Sequence, residues 1–567
     1  MTETPMASRL AALAARYWQF ECEEFPLTAL QAGEPSDTTV LFRESSVDYG
    51  RRYCEAGDLL AEVNRLVPAD LAPQDRATQR LLRHELESIR SFHDVLAHLR
   101  PALYPAGPDF ATITFANSAA VPDAHAAERY VERLSSVPAF IKDLEENLRQ
   151  GNRLGIHYPK LVLDRAVTAV QISLVGSVEE SPWFGPFKRS ANAHADGVRR
   201  AGDRTRALIE RELRPALTAY IGFLRGELAQ GARSTVSCTD APLGREFYEL
   251  QVRHFTTTDL TPDAIHQLGL DEVARLSAEI EAVAASAGFP GDVPRYRQFL
   301  STDSQFVAAS REVLCEKFES LAKRIDKRIP AFFGRIPRIT YGVECMSAAS
   351  SSSMPPAYAQ PNPADRSSPG ILWITGLPDR CPTYLHLPLA LHEGWPGHLL
   401  HIALMQEMEG LPAFRRHGAL KYTACVEGWA LHCEGLGVEM GLYETPHQHY
   451  GRLNMEIWRA ARLVTDTGIH WHGWDRSRAV DYMAQHVTLA RPTLEAEVDR
   501  YIALPGQALA YQIGNLKFGS LRRHAETVLG ARFHHRAYYD ALMAAGPATL
   551  PVLEELMDDW LARQPLA

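Results

Sequence analysis

The chain has 567 residues, 46% hydrophobic and 23% charged, with 37 glycines and 36 prolines. This is ordinary globular usage and excludes collagenous, low-complexity and disordered readings. With 59 basic against 69 acidic side chains the formal charge is −10, which argues against nucleic acid as a partner.

The opening segment lacks a basic n-region and reaches Glu21, Glu23 and Glu24 before any long apolar run, so no signal peptide is expected. No stretch approaches the roughly 18 uninterrupted apolar residues of a spanning helix, so no membrane partner is expected. The eight cysteines are dispersed and form no C-x-x-C pair. That spacing argues against a disulfide framework or a thiolate zinc site and points to a reducing cytoplasm.

Helical periodicity dominates from the start. Leu82, Leu86, Ile89, Phe92, Leu96 and Leu99 recur at steps of three and four, with charges between them, and predict an amphipathic helix. Residues 128–150 repeat the pattern, with Pro138 starting a second helix and Gly151 as a stop. Further helices are predicted over 159–175, 193–228, 262–287, 295–301 and 304–328, and Thr261-Pro262 marks a capped start. Residues 339–376 depart from this. Their Ser/Ala/Pro-rich run cannot sustain a helix, and Gly370–Thr375 is the best strand candidate in the chain. Helices resume near 384 and continue almost to the end, without an internal repeat.

Within the resumed helices the chain reads His392-Glu393-Gly394-Trp395-Pro396-Gly397-His398. In the H-E-x-x-H zinc motif two imidazoles one turn apart bind the metal and the intervening Glu is the base. Here the spacing is six, which advances an ideal helix by about 600° and leaves His398 about 120° off the face of His392. Gly394, Pro396 and Gly397 are costly inside a helix, so either a bulge restores convergence, or one helix ends and another begins with two interior histidines. A zinc hydrolase also needs a third ligand. Glu427 is the best candidate, because Trp429, Ala430 and Leu431 make its surroundings apolar and a carboxylate buried there requires a partner. Otherwise it lies on an exposed helix face. Glu434, two turns further on, could orient a ligand histidine.

The His392–His398 segment, Glu427-Gly428-Trp429-Ala430, the run Arg462–His470 and the run Pro505–Gly514 occur in this order. Together they resemble the successive signatures of the domain of unknown function 885 family, which is similar to helical, cleft-containing zinc metallopeptidases. The resemblance extends over nearly the whole chain. It departs at Leu399 and His401, where the family usually carries His and Gln. It implies that His392, His398 and Glu427 hold Zn²⁺, with Mn²⁺ or Co²⁺ possible in the same donor set, and that Glu393 is the general base. His401 ranks second as a ligand or cleft residue.

Arg462, Asp466 and His470 stand at i, i+4 and i+8 and form one polar stripe if the helix continues. Such a stripe is ordinarily a solvated face. As a cleft element, Asp466 would pair with Arg462 and fix His470 for oxyanion stabilisation, with Tyr511 as the other oxyanion candidate. Arg459 and Lys517 are available for a substrate carboxylate, as are cations on any helix. The strand candidate, as an edge beside the metal, would pair with an extended peptide.

The sequence therefore predicts a mainly α protein, a large helical two-lobed body with a central cleft. Its parts are an N-terminal helical lobe (1–338), a small β element (339–376) and a C-terminal catalytic helical lobe (377–567). The expected activity is zinc-dependent hydrolysis of peptide or peptide-like amide bonds in short substrates. The alternatives are a metal-dependent lyase, isomerase or cyclase acting on a small metabolite, and a catalytically silent helical binding protein.

Overall fold

The computed structural model describes residues 5–34, 38–347, 351 and 354–564; the first four residues and part of the serine-rich run lie outside them. The fold is mainly α with one small sheet, as the periodicity predicts. The first helix, α1, spans Pro5–Glu24. The helix predicted near 82–99 is α2, Pro73–Asp94; it buries Leu81, Leu82 and Leu86 and ends because Leu96 turns to a φ of 57°. Pro138 does start a helix, Val137–Arg153. Gly151 does not stop it. A Cβ there would meet the Leu99 carbonyl oxygen at 2.4 Å, so this glycine permits a close approach instead. The helix predicted over 193–228 runs from Asp196 to Arg225, with one turn, Ile209–Leu213, widened to π geometry. The start at Thr261 holds, since its side chain accepts from the Ala264 amide and caps α3, Pro262–Ser286.

The sheet has strands β1 (Tyr341–Cys345), β2 (Ala357–Gln360) and β3 (Gly370–Ile374) in the order β1-β3-β2. β1 runs parallel to β3 and β2 antiparallel to it. The predicted edge strand is thus the central one. β3 buries Leu372 and Ile374 and is hydrogen-bonded along both edges, so it cannot accept a further strand. The edge on the β2 side belongs to β2 itself.

Five helices then carry the motif residues: α4 (His386–Glu393), α5 (His398–Gln406), α6 (Thr423–Glu439), α7 (Pro446–His470) and α8 (Ala510–Leu529). A capping box between Thr445 and Gln448 starts α7, which packs along α3. α6 and α8 cross where glycine meets glycine. A Cβ on Gly428 would lie 2.4 Å from the Gly514 Cα, and one on Gly514 would lie 2.0 Å from the Ala424 carbonyl oxygen. Two helices can approach this closely only without side chains, and the crossing brings Glu427 and Tyr511, which flank the two glycines, to the same region. Among the described residues, buried apolar side chains from Leu10 to Leu561 form one large core, with two smaller clusters around Tyr248 and Leu463 and around Met405 and Val426. Among the described residues, no helix is long and apolar enough to cross a membrane.

Candidate metal centre

The segment between α4 and α5 is a break, not a bulge. α4 ends at Glu393, the chain turns through Gly394, a cis Trp395–Pro396 bond and Gly397, and α5 begins at His398. The turn folds back onto α4, with the Gly397 amide donating to the Leu391 carbonyl at 3.1 Å. A Cβ on Gly397 would strike the His392 carbonyl oxygen at 2.0 Å, so only glycine fits. The Trp429 indole N–H donates to the Pro396 carbonyl at 3.0 Å and ties the turn to α6, two residues from Glu427. The helix-end reading describes the backbone correctly, yet the histidines still converge: their rings lie 4.9 Å apart at 90°.

The Nε2 atoms of His392 and His398 are each 3.5 Å from Glu427 Oε2. The three donor atoms lie within 4.8 Å of one another. The two 3.5 Å separations are long for a hydrogen bond but close to the edge of a tetrahedral coordination shell, where ligands about 2.0–2.1 Å from the ion stand about 3.4 Å apart. Two imidazoles and a carboxylate form a donor set suited to zinc, and the residues fit the ion. With protons instead of a cation the same geometry couples the charges. Burial alone would lower His392, but Glu427 and Glu434 raise it to about 9. Burial alone would raise Glu427, but the two imidazoles bring it well below the usual carboxylate range.

Glu434 is fully buried and accepts from His392 Nδ1 at 2.8 Å. The Nδ1 of His398 has no hydrogen-bond partner among the described residues. Glu393 faces the same centre, and its Oε2 accepts the Ala359 amide of β2 at 2.9 Å. Burial raises its carboxyl, partly offset by His392 and His398. His401 is buried against Trp429, and burial lowers it to about 3; it does not join the three donors.

The polar stripe on α7 is buried along its whole length, so the solvated reading fails. The expected pairing fails as well. Asp466 accepts from the Tyr248 hydroxyl at 2.7 Å and the Gly506 amide at 3.1 Å, and bonds to neither Arg462 nor His470. His470 accepts from the Cys238 amide through Nδ1 at 3.1 Å and donates from Nε2 to the Tyr501 carbonyl at 3.0 Å. Both ring nitrogens are used by backbone, so His470 has no free atom for an oxyanion. Arg462 does reach the centre's surroundings: its guanidinium lies 4.5 Å from the Tyr511 ring centroid and donates to the Tyr501 hydroxyl and to Glu497. Burial raises the Tyr511 hydroxyl, and Glu427 raises it further; this tyrosine stands three residues before Gly514, whose backbone meets Gly428 beside Glu427. Lys517 is paired with Glu554 at 3.0 Å.

Three contributors are not legible in the sequence. Glu497 and Arg500 form an i,i+3 pair that looks like any solvated helix pair, and the Ala359 amide carries no side-chain information.

The family described as bacterial proteins of unknown function, DUF885, matches residues 26–557. No functionally curated protein matches the chain. Among solved structures, a candidate lipoprotein from Colwellia psychrerythraea is similar, with a TM-score of 0.91 and 25% identity over 99% of this chain and 100% of that one. A candidate lipoprotein of unknown function from Shewanella oneidensis shares the fold, with a TM-score of 0.75 and 16% identity over 98% and 100% of the two chains. These neighbours overturn the cytoplasmic placement, since lipoproteins are carried outside that compartment. The cysteine argument behind it lacks force: Cys381, Cys425 and Cys433 are buried and behave as small core hydrophobes, which no redox compartment requires.

Proposed function

The chain belongs to the DUF885 family, and we propose that it is a metal-dependent hydrolase of peptide or peptide-like amide bonds in short substrates, similar in mechanism to helical zinc metallopeptidases. The observation that carries the proposal is the convergence of His392, His398 and Glu427 beside the carboxylate of Glu393. His392, His398 and Glu427 would hold Zn²⁺, or Mn²⁺ or Co²⁺, and the bound ion supplies Lewis-acid polarisation and a lowered pKa for the attacking water.

The protein's own groups do the rest. Glu434 keeps the proton of His392 on Nδ1 and so turns the Nε2 lone pair toward Glu427. Ala359 holds one oxygen of Glu393, which leaves Oε1 to take the proton of the attacking water and return it to the leaving amine. The raised carboxyl of Glu393 suits a group that must do both. The Tyr511 hydroxyl is the nearby donor for the developing oxyanion.

The edge of β2 favours a peptide. The Thr375 amide donates to the Pro356 carbonyl, so Pro356 and Tyr358 face β3, whereas Ala357 and Ala359 face outward, where Ala359 meets Glu393. Ala357 is buried, so a substrate strand would bond at the Ala359 carbonyl, where it would be recognised through its backbone with little dependence on side chains.

Elemental analysis of the folded full-length chain, with His392→Ala and Glu427→Ala, tests the metal. Cleavage of a mixed short-peptide library by wild type and Glu393→Gln tests the reaction. The expected result is one divalent ion, lost in the first two variants, and a fall in cleavage of about 10²–10⁴-fold in the third with metal retained. A folded chain that takes up no divalent metal, or a loaded one that cleaves nothing, overturns the proposal.

A further inference from the structure

Beside Glu427, the side chains around Tyr511 carry more positive than negative charge. The guanidinium carbons of Arg462 and Arg459 lie 4.5 and 5.9 Å from the Tyr511 ring centroid, and Arg500 acts on the same hydroxyl electrostatically. Among the described residues one carboxylate bonds to any of these three arginines. It is Glu497, which accepts from Arg462 and Arg500 at 3.0 Å each.

Arg459 has no carboxylate hydrogen-bonded to it. It is 5% exposed. Its Nη1 donates to the Met455 carbonyl and sulfur, both at 3.2 Å. No acceptor among the described residues reaches its Nε, and none is bonded to Nη2. The Nε–Nη2 edge is the edge that grips a carboxylate with two parallel bonds. A guanidinium buried with that edge unused is costly unless a partner arrives. Glu434 and Glu427 are its nearest offsetting charges, and both are engaged by the histidines.

We propose that Arg459, backed by Arg462, anchors a free carboxylate of the substrate, so that the site acts on short peptides or acylated amino acids whose α-carboxylate lies next to the scissile amide. The word scissile rests on the hydrolase reading above; the carboxylate anchor does not. Tyr511 stands three residues before Gly514, whose backbone meets Gly428 beside Glu427, and Arg459 and Arg462 lie against its ring, so the anchor and the metal donors flank the same helix crossing. This favours cleavage close to a carboxyl terminus.

The test compares N-acetylated di- and tripeptides as free acids and as C-terminal amides. Binding to the metal-free full-length chain is measured by calorimetry, and cleavage by the zinc-loaded chain is measured as kcat/KM. Wild type should prefer the acid by about a hundredfold in both, Arg459→Gln should abolish the preference by weakening the acid alone, and Arg459→Lys should restore part of it. Equal handling of acid and amide by wild type, or a preference that survives in Arg459→Gln, overturns the anchor. Acid-selective binding without cleavage of either form supports the anchor and removes the hydrolase reading instead. If Arg459→Gln loses its cooperative melting, the wild-type acid-to-amide ratio and Arg459→Lys decide.

Discussion

Glu434 accepts the Nδ1 proton of His392 at 2.8 Å although the two residues lie 42 positions apart, whereas the corresponding nitrogen of His398 has no such partner. The two imidazoles share Glu427 on their Nε2 side but are backed unequally: His392 has a buried carboxylate on Nδ1, and His398 has no hydrogen-bond partner there among the described residues. Glu434→Ala should weaken zinc binding about 10–100-fold, as loss of a carboxylate behind a ligand histidine does elsewhere. Competition with a chromophoric chelator measures it. Unchanged affinity would mean that the α4–α5 turn alone orients His392.

The crossing of α6 and α8 sets the position of Glu427. Gly428→Ala would drive a methyl group into the Gly514 backbone at 2.4–2.5 Å, and neither helix has a flexible side chain there to give way. Overpacking of this kind costs about 1–3 kcal/mol. The variant should lose that stability in urea and bind zinc more weakly, because Glu427 moves with its helix. An exposed glycine such as Gly410, where a Cβ meets nothing within 4 Å, should tolerate alanine without either change.

Most of the helical fold and the residues of the candidate donor cluster can be read from the sequence because both follow local rules. Apolar spacing sets the helices, and a His-Glu pair followed by Gly, Pro, Gly and His narrows the donors to a few side chains. The rest depends on contacts distant in sequence. The strand at Gly370–Ile374 reads correctly as a strand, but its central position depends on β1 and β2, which lie on either side of it in space. The α7 stripe has the spacing of a solvated face and is buried because Cys238, Tyr248 and the segment from Glu497 to Gly506 cover it. His470 looks catalytic by its company, yet backbone groups at Cys238 and Tyr501, more than 200 and about 30 residues away, use both its nitrogens.

That assignment of His470 makes a prediction of its own. Replacing it with Phe leaves the Cys238 amide and the Tyr501 carbonyl without partners in the interior, at about 1–3 kcal/mol each. Thermal unfolding should shift down accordingly, while the zinc affinity of the protein that remains folded should stay at the wild-type value. A large loss of zinc affinity at unchanged stability would return His470 to the site.

Asp466 links stability to pH. It is fully buried, and burial pushes its carboxyl up to about 7, although the Tyr248 hydroxyl and the Gly506 amide favour the charged form. In the unfolded chain an aspartate titrates near 3.9. Between those values the folded chain keeps a proton that the unfolded chain has released, so this group's contribution is whole below about pH 4 and is lost as the pH rises to about 7. The slope is up to about 1.4 kcal/mol per pH unit. Asp466→Asn cannot titrate. The stability difference between wild type and Asp466→Asn, from urea unfolding at a series of pH values between 4.5 and 8, should therefore fall toward neutrality and level off above it. A flat difference would mean that Asp466 is already ionised in the fold, and that two hydrogen bonds outweigh the cost of burying its charge.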